Sequence, residues 1–288
     1  MSEKIKIIEC PRDAMQGIKT WIKTEDKIRY INQLLKVGFD CLDCGSFVSE
    51  KAIPQMKDTA EVLRGLNLSN ANSTLLTIVA NLRGAESACA FDEVHYVGYP
   101  FSISETFQQR NTNASIAESL YRVEDIQNLV SRNNKELVVY ISMGFGNPYG
   151  DPWSPEVAIE WCDKLHKELG VKILALSDTI GTANPEVITQ LFSALIPALP
   201  DVEFGAHLHT RPEEYRLKIK AAYEAGCRRF DGAMKGYGGC PMATDTLTGN
   251  MPTESMLSYF EEIGCKTGIN QTEFMKSLLM AGEIYPVA

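Results

Sequence analysis

His207-Leu208-His209 is the segment of this 288-residue chain whose residue types and spacing speak most directly of chemistry. On a strand, positions i and i+2 share a face, so both imidazoles can reach one cation. The pair follows the apolar run Val202-Glu203-Phe204-Gly205-Ala206 and uses two of only four histidines. Other polar groups recur just after strand-like runs. Arg12, Asp13 and Gln16 follow the first run, Asp43 ends the second, and Asp178 and Thr179 follow the sixth. Beyond the eighth, Lys235-Gly236-Tyr237-Gly238-Gly239-Cys240-Pro241 leads on to Asn250. Two imidazoles, a carboxylate and an amide oxygen make a mixed donor set. It suits Mg²⁺ or Mn²⁺ with positions left open for substrate oxygens. Zinc fits less well, because no thiolate is evidently placed as a ligand. Taken singly, each residue has a bland alternative. Arg12-Asp13 reads as a surface ion pair, Asp178 as a helix cap, Asn250 as a turn residue and Cys240 as a buried thiol in a Gly-rich turn.

The elements that must position these groups alternate along the whole chain. Strand-like runs are Lys4 to Glu9, Phe39 to Asp43, Thr74 to Val79, Glu93 to Val97, Leu137 to Ile141, Lys172 to Leu176, the run ending in the histidines, and Cys227 to Asp231. Helical patterns lie between them. Thr24 caps one that stops at Gly38, another spans Pro54 to Gly65, and Ser115 caps one reaching Arg132 after a long loop. Ser154-Pro155-Glu156 and Asn184-Pro185-Glu186 each pair a cap with proline at the first helical position. Eight strand-helix units with no break in composition predict a single (β/α)8 barrel over 1–288, an α/β fold. A Gly-rich lid loop is expected at about 235–250 and a short C-terminal helical extension at about 253–283. A doubly wound open sheet is the rival, but no G-x-G-x-x-G turn follows the first strand. Catalytic groups of a barrel collect at the C-terminal ends of its strands, where the residues above fall.

Composition narrows the function classes. Hydrophobic residues make up 44% and charged residues 23%, an ordinary globular balance. A net charge of −9 argues against a nucleic-acid surface and offers no basic membrane patch. No apolar run is long enough to span a bilayer, and no secretory leader is evident, so the reading is cytoplasmic. Eight cysteines show no disulfide framework. Cys41 and Cys44, three apart on a strand, face opposite sides and read as core.

Glu9-Cys10-Pro11-Arg12-Asp13-Ala14-Met15-Gln16, Gly45-Ser46-Phe47-Val48-Ser49, Pro54-Gln55-Met56, Ser177-Asp178-Thr179-Ile180-Gly181, His207-Leu208-His209 and Gly238-Gly239-Cys240-Pro241 together resemble the hydroxymethylglutaryl-CoA lyase family of metal-dependent barrel lyases and aldolases. The resemblance covers nearly the whole chain, in order. It implies Asp13, His207, His209 and Asn250 as metal ligands, and Arg12 as the group that polarises a thioester carbonyl and stabilises an enolate. It implies Cys240 as a lid cysteine, Asp43 as the acidic residue of the second strand, and Asp178-Thr179 as an Asp-Thr pair. Gln16, Thr179 and Asn147, with Arg12, are assigned to substrate contact. Asp43 stands where the family has glutamate, Ser177 where it has glycine, and the stretch from Cys240 to Asn250 is one residue longer.

The resemblance implies a retro-Claisen cleavage of an acyl-CoA into acetoacetate and acetyl-CoA, as in leucine degradation. His207 and Asp43 are the candidate bases, and Cys240 or a water the proton donor. A Claisen-condensing synthase or a hydroxy keto acid aldolase is the alternative in the same superfamily. A non-catalytic metal-stabilised binding protein is the third, disfavoured because binding a metal needs neither Arg12 nor Cys240. The partner is then a small acyl-CoA, with no nucleic acid and no membrane; a homodimer is compatible with this reading.

Overall fold

Strands buried on both faces can sit only where a second layer covers them, and this chain supplies that layer eight times. The computed structural model describes residues 4–69, 71–239 and 248–285. Parallel strands close into a barrel in sequence order: β1 Lys6–Glu9, β2 Cys41–Ser46, β3 Thr74–Ile78, β4 Val94–Ser102, β5 Glu136–Ser142, β6 Ile173–Asp178, β7 Glu203–Leu208 and β8 Arg229–Gly232. β1 pairs with both β2 and β8, which closes the ring. All residues of β2, β6 and β8 are buried, the near-continuous burial a covered parallel sheet requires.

The shell consists of α1 Pro11–Gln16, α2 Thr24–Leu34, α3 Thr59–Arg64, α4 Leu82–Cys89, α5 Glu105–Thr112, α6 Ile116–Arg132, α7 Pro155–Leu169, α8 Pro185–Ala198, α9 Tyr215–Glu224, α10 Thr253–Glu262 and α11 Gln271–Ile284. The predicted caps hold at three of these helices. Ser115 accepts from Glu118 N while Glu118 returns a bond to Ser115 N, a complete capping box. Ser154 and Asn184 cap α7 and α8, each followed by proline. α10 follows β8 and completes the set of one main helix after each strand. α11 is the extension, docked on α2 with Phe274 edge-on to Phe39 and Asn270 N bonded to Val37 O.

Two hydrophobic layers result. An inner cluster inside the barrel includes Ile8, Cys10, Leu76, Val138, Tyr140 and Ile173. The larger cluster lies between strands and helices. Cys41 belongs to the inner layer and Cys44 to the outer, as their spacing predicts.

Several boundaries differ from the sequence reading. Thr24 begins α2 rather than capping it, and the helix ends at Leu34. β2 starts at Cys41 and runs on through Gly45 and Ser46, because Gly45 pairs with Thr77 and Ser46 with Ile78. β4 continues to Ser102 through Gly98 and Pro100, in unbroken register with β5. The segment from Pro54 to Gly65 divides into a 3₁₀ turn and α3. Two helices went unread: α1 is too short to show a period, and α5, ETFQQRNT, is too polar to show an apolar face.

Candidate active site

Arg12, Asp13 and Gln16 are carried to the barrel mouth by α1, a short helix that proline starts immediately after β1. The Arg12 guanidinium is buried rather than a surface ion pair. Its Nε donates to both Asp43 oxygens (3.2 and 3.0 Å) and Nη2 donates to Asp43 Oδ2 at 2.5 Å. Nη1 donates to Asp13 Oδ1 and to Gln16 Oε1, both at 2.9 Å. Gln16 Nε2 closes the ring on Asp13 Oδ1. This is a planar fork held at every arm. Burial opposes the Arg12 charge, but Asp43 and Asp13 outweigh it and the group stays cationic. Burial pushes the Asp43 carboxyl up to about 6, against the pull of Arg12.

Strand register sets the next level. Ser177 lies opposite His207, and His207 opposite Asp231. The two imidazoles project to the same side, with ring centroids 5.5 Å apart. His207 Nε2 is 3.8 Å from Asp13 Oδ2, and His207 Nδ1 is 3.1 Å from Asp231 Oδ2. Donor atoms of Asp13, His207 and His209 all lie within 4.8 Å of one another. Among the described residues, Asp13 Oδ2 and His209 Nδ1 are buried and meet no partner in hydrogen-bond geometry. Such orphans are costly unless something else satisfies them. A divalent cation would bond both, so the donors present fit the metal.

The protonation states agree with that fit. Burial alone would raise the Asp13 carboxyl, yet Arg12 and both histidines hold it below its ordinary range. Burial and the neighbouring His207 press His209 down to about 4, which keeps its ring neutral and ready to ligate. For His207 burial lowers the pKa, but Asp231 more than compensates and the net shift is upward. Asn250 reaches the same spot through an antiparallel bridge with His209, its amide bonded to Tyr237 O at 2.8 Å and its side chain against Asp13. Gly238, at φ +96°, packs directly on Asp13 and Asn250. A Cβ there would lie 2.5 Å from Asp13 O, so only glycine fits.

The site opens into a cavity of about 580 Å³ whose wall includes Arg12, Asp13, Gln16, Thr179, His207 and His209. The wall continues outward past Ile53, Phe107, Arg110 and Arg122. Arg110 borders the cavity and lies 4.7 Å from the Tyr149 ring, whereas Lys19 and Lys51 are exposed and are not part of its wall.

The sequence model of the HMGL-like family matches residues 4–279. The chain belongs to the HMGL-like family. It is 33% identical to a hydroxymethylglutaryl-CoA lyase of Bacillus subtilis, over 96% of this chain and 91% of that protein. It is 32% identical to the human mitochondrial hydroxymethylglutaryl-CoA lyase, over 98% of this chain and 85% of that one. Among solved structures, an HMG-CoA lyase from Acinetobacter baumannii in complex with coenzyme A and 3-methylmalate aligns with a TM-score of 0.90 at 30% identity, covering 99% of this chain and 93% of that one.

In this HMGL-like barrel three of the expected site residues are placed away from the cavity wall. Asp43 is fully buried behind Arg12, with both oxygens committed to it. Asp178 accepts from Lys218 Nζ at 2.9 Å and from Ala183 N at 3.1 Å, an ion pair inside the shell. Asn147 ties its own loop, accepting from Tyr149 N and Asp151 N and donating to Asp151 O. Cys240 lies outside the described residues.

The sequence reading missed Asp231 and Lys218. Asp231 stands behind His207 and fixes its ring, as carboxylates commonly do for metal-binding imidazoles. Lys218 bonds Asp178, Gly181 O and His209 O, and so braces the end of β7 from behind. A carboxylate two residues past Arg229 on a barrel strand was a usable signal; a lysine on α9 was not. The sequence placed no cysteine as a ligand, yet the Cys10 thiol, its pKa pushed up by burial, lies beside His207 and Asp231.

Proposed function

We propose that this protein cleaves hydroxymethylglutaryl-CoA to acetyl-CoA and acetoacetate with a bound Mg²⁺ or Mn²⁺. The observation that carries the reading is the convergence of Asp13, His207 and His209 beside a buried guanidinium at one cavity wall. Asp13, His207 and His209 would hold the metal, with Asn250 adjacent. When bound, it supplies Lewis acidity that lowers the substrate hydroxyl's pKa and fixes its orientation.

The chain's own residues do the rest. Arg12, immobilised by Asp43, Asp13 and Gln16, presents a fixed positive charge where the thioester oxygen becomes an enolate. Asp43 serves that charge by holding it. Of the two candidate bases, only His207 meets the cavity. Thr179 Oγ1 accepts from Met143 N at 2.9 Å, which keeps its side chain fixed at the wall. The outer lobe past Ile53, Phe107 and Arg110 suits the arm of a coenzyme A thioester, with a cation at its rim. Cys240, the residue after Gly239 in sequence, is the proposed proton donor to the enolate carbon. Unpaired cysteines among the described residues suit a reducing compartment such as the cytoplasm.

The test is direct. Purified protein given hydroxymethylglutaryl-CoA and Mg²⁺ is expected to release acetoacetate, and to stop on chelation. Metal-loaded, folded protein that releases none would overturn the proposal.

A further inference from the structure

Inside the barrel, behind the catalytic wall, a second set of donors shares His207 with the first, and its other two members, Cys10 Sγ and Asp231 Oδ1, are left unused by the mechanism. Cys10 Sγ, His207 and Asp231 each offer a ligand atom, all within 4.8 Å of one another. Cys10 and Asp231 are almost wholly buried. Among the described residues, the Cys10 thiol makes a single long 3.9 Å contact, to Ile8 O. Among the described residues, neither the buried Asp231 Oδ1 nor the Tyr140 hydroxyl of the same inner layer has a hydrogen-bond partner. His207 turns Nε2 toward Asp13 and Nδ1 toward Asp231, so its two nitrogens face two different donor sets.

We propose that Cys10, His207 and Asp231 form a second metal site, deeper in the barrel, that takes a thiophilic divalent cation such as Zn²⁺ or Cd²⁺. A sulfur, nitrogen and oxygen set selects such ions over Mg²⁺, which prefers oxygen donors. A thiolate and a carboxylate together cancel a charge of +2, so the filled site is neutral in a low-dielectric interior. On binding, the Cys10 S–H bond breaks, its proton leaves to solvent, and a metal–sulfur bond forms. No electron is transferred. The ion takes the Nδ1 lone pair of His207, whose proton moves to Nε2, and so removes both the hydrogen bond that the ring donates to Asp231 and the nitrogen lone pair that faces Asp13. It therefore acts against the first site, and Zn²⁺ inhibits the Mg²⁺-supported reaction.

The inhibitory consequence rests on the metal reading of the first site; the second site itself does not. Cd²⁺ added stoichiometrically to protein saturated with Mg²⁺ should give the ultraviolet charge-transfer band of a cadmium–thiolate bond. The band should persist in Cys240→Ser and disappear in Cys10→Ser. Mn²⁺ titration reads the first site separately, and Cys10→Ser should leave it unchanged. Should the serine variant misfold, Cys10→Gly gives the same reading. Zn²⁺ inhibition should weaken about tenfold or more in the Cys10 variant, the scale of losing one group at a metal centre. A band that survives Cys10 replacement, or no band in the parent protein, would refute the second site. Equal Zn²⁺ inhibition with and without Cys10 would assign that inhibition to displacement of Mg²⁺ and refute the antagonism.

Discussion

Arg12 is gripped by three side chains before any substrate arrives, so its charge needs no reorganisation when the enolate forms. Arg12→Gln is expected to lower kcat on the order of a hundredfold, with a much smaller change in KM, by analogy with other single charge-stabilising donors. Steady-state kinetics checks this; a raised KM with intact kcat would make Arg12 a ground-state anchor. His207 carries a second expectation. Its pKa in the metal-free protein is raised, chiefly because Asp231 outweighs burial, so a proton competes with the metal. Metal affinity should rise with pH through that pKa and level off above it. Calorimetry in buffers of different ionisation enthalpy should detect proton release on Mn²⁺ binding. Asp231→Asn should cost about ten- to a hundredfold in that affinity, the usual range for groups that orient a metal ligand.

At the scale of elements, β7 delivers both histidines and α9 secures the strand's end through Lys218. Lys218→Met would leave Asp178 charged and unpaired in the shell. The expected loss is about 3–5 kcal/mol of folding stability, typical of breaking a buried pair. Denaturant unfolding measures it, and Asp178→Asn in the same background should recover part of the loss. Glu9 presents a different case. It is fully buried on β1, accepting from Met234 N at 2.9 Å and Thr253 Oγ1 at 2.5 Å, and so ties β8's exit to the start of α10. Burial raises its carboxyl from the ordinary 4.5 to about 8, with both hydrogen bonds opposing. The folded protein therefore holds a proton that the unfolded chain gives up above about 4.5. That stabilisation is complete below 4.5 and lost as pH rises toward 8. Glu9→Gln should flatten the dependence between pH 5 and 8, on the order of the two pKa values. An unchanged pH profile of the urea midpoint would rule this out.

For the whole molecule, the barrel's stability and its site are largely separable. The larger buried layer lies between strands and helices, whereas the metal donors sit at the barrel mouth, where only the inner layer meets them through Tyr140. His209→Ala is expected to abolish Mn²⁺ binding and acetoacetate release while the circular dichroism spectrum and cooperative unfolding persist. Loss of the fold together with the metal would instead make the centre structural. No helix among the described residues is long and apolar enough to cross a membrane.

The sequence alone determined the alternation of strands and helices, since each strand run and each cap is a local signal. It also determined the shared face of His207 and His209, because the two-residue period of a strand settles that without any partner. Strand ends were less legible where Gly45, Ser46, Gly98 and Pro100 continue pairing, since only the neighbouring strand supplies the reason. Tertiary structure decided which carboxylates meet the cavity. Asp43, Asp178 and Asp231 all stand on strands, but barrel register turns Asp43 to Arg12, Asp178 to Lys218 and Asp231 to His207. Those partners lie 31, 40 and 24 residues away, so no local pattern encodes the choice. Closure of the ring brings β1 beside β8, and with it Cys10 beside Asp231.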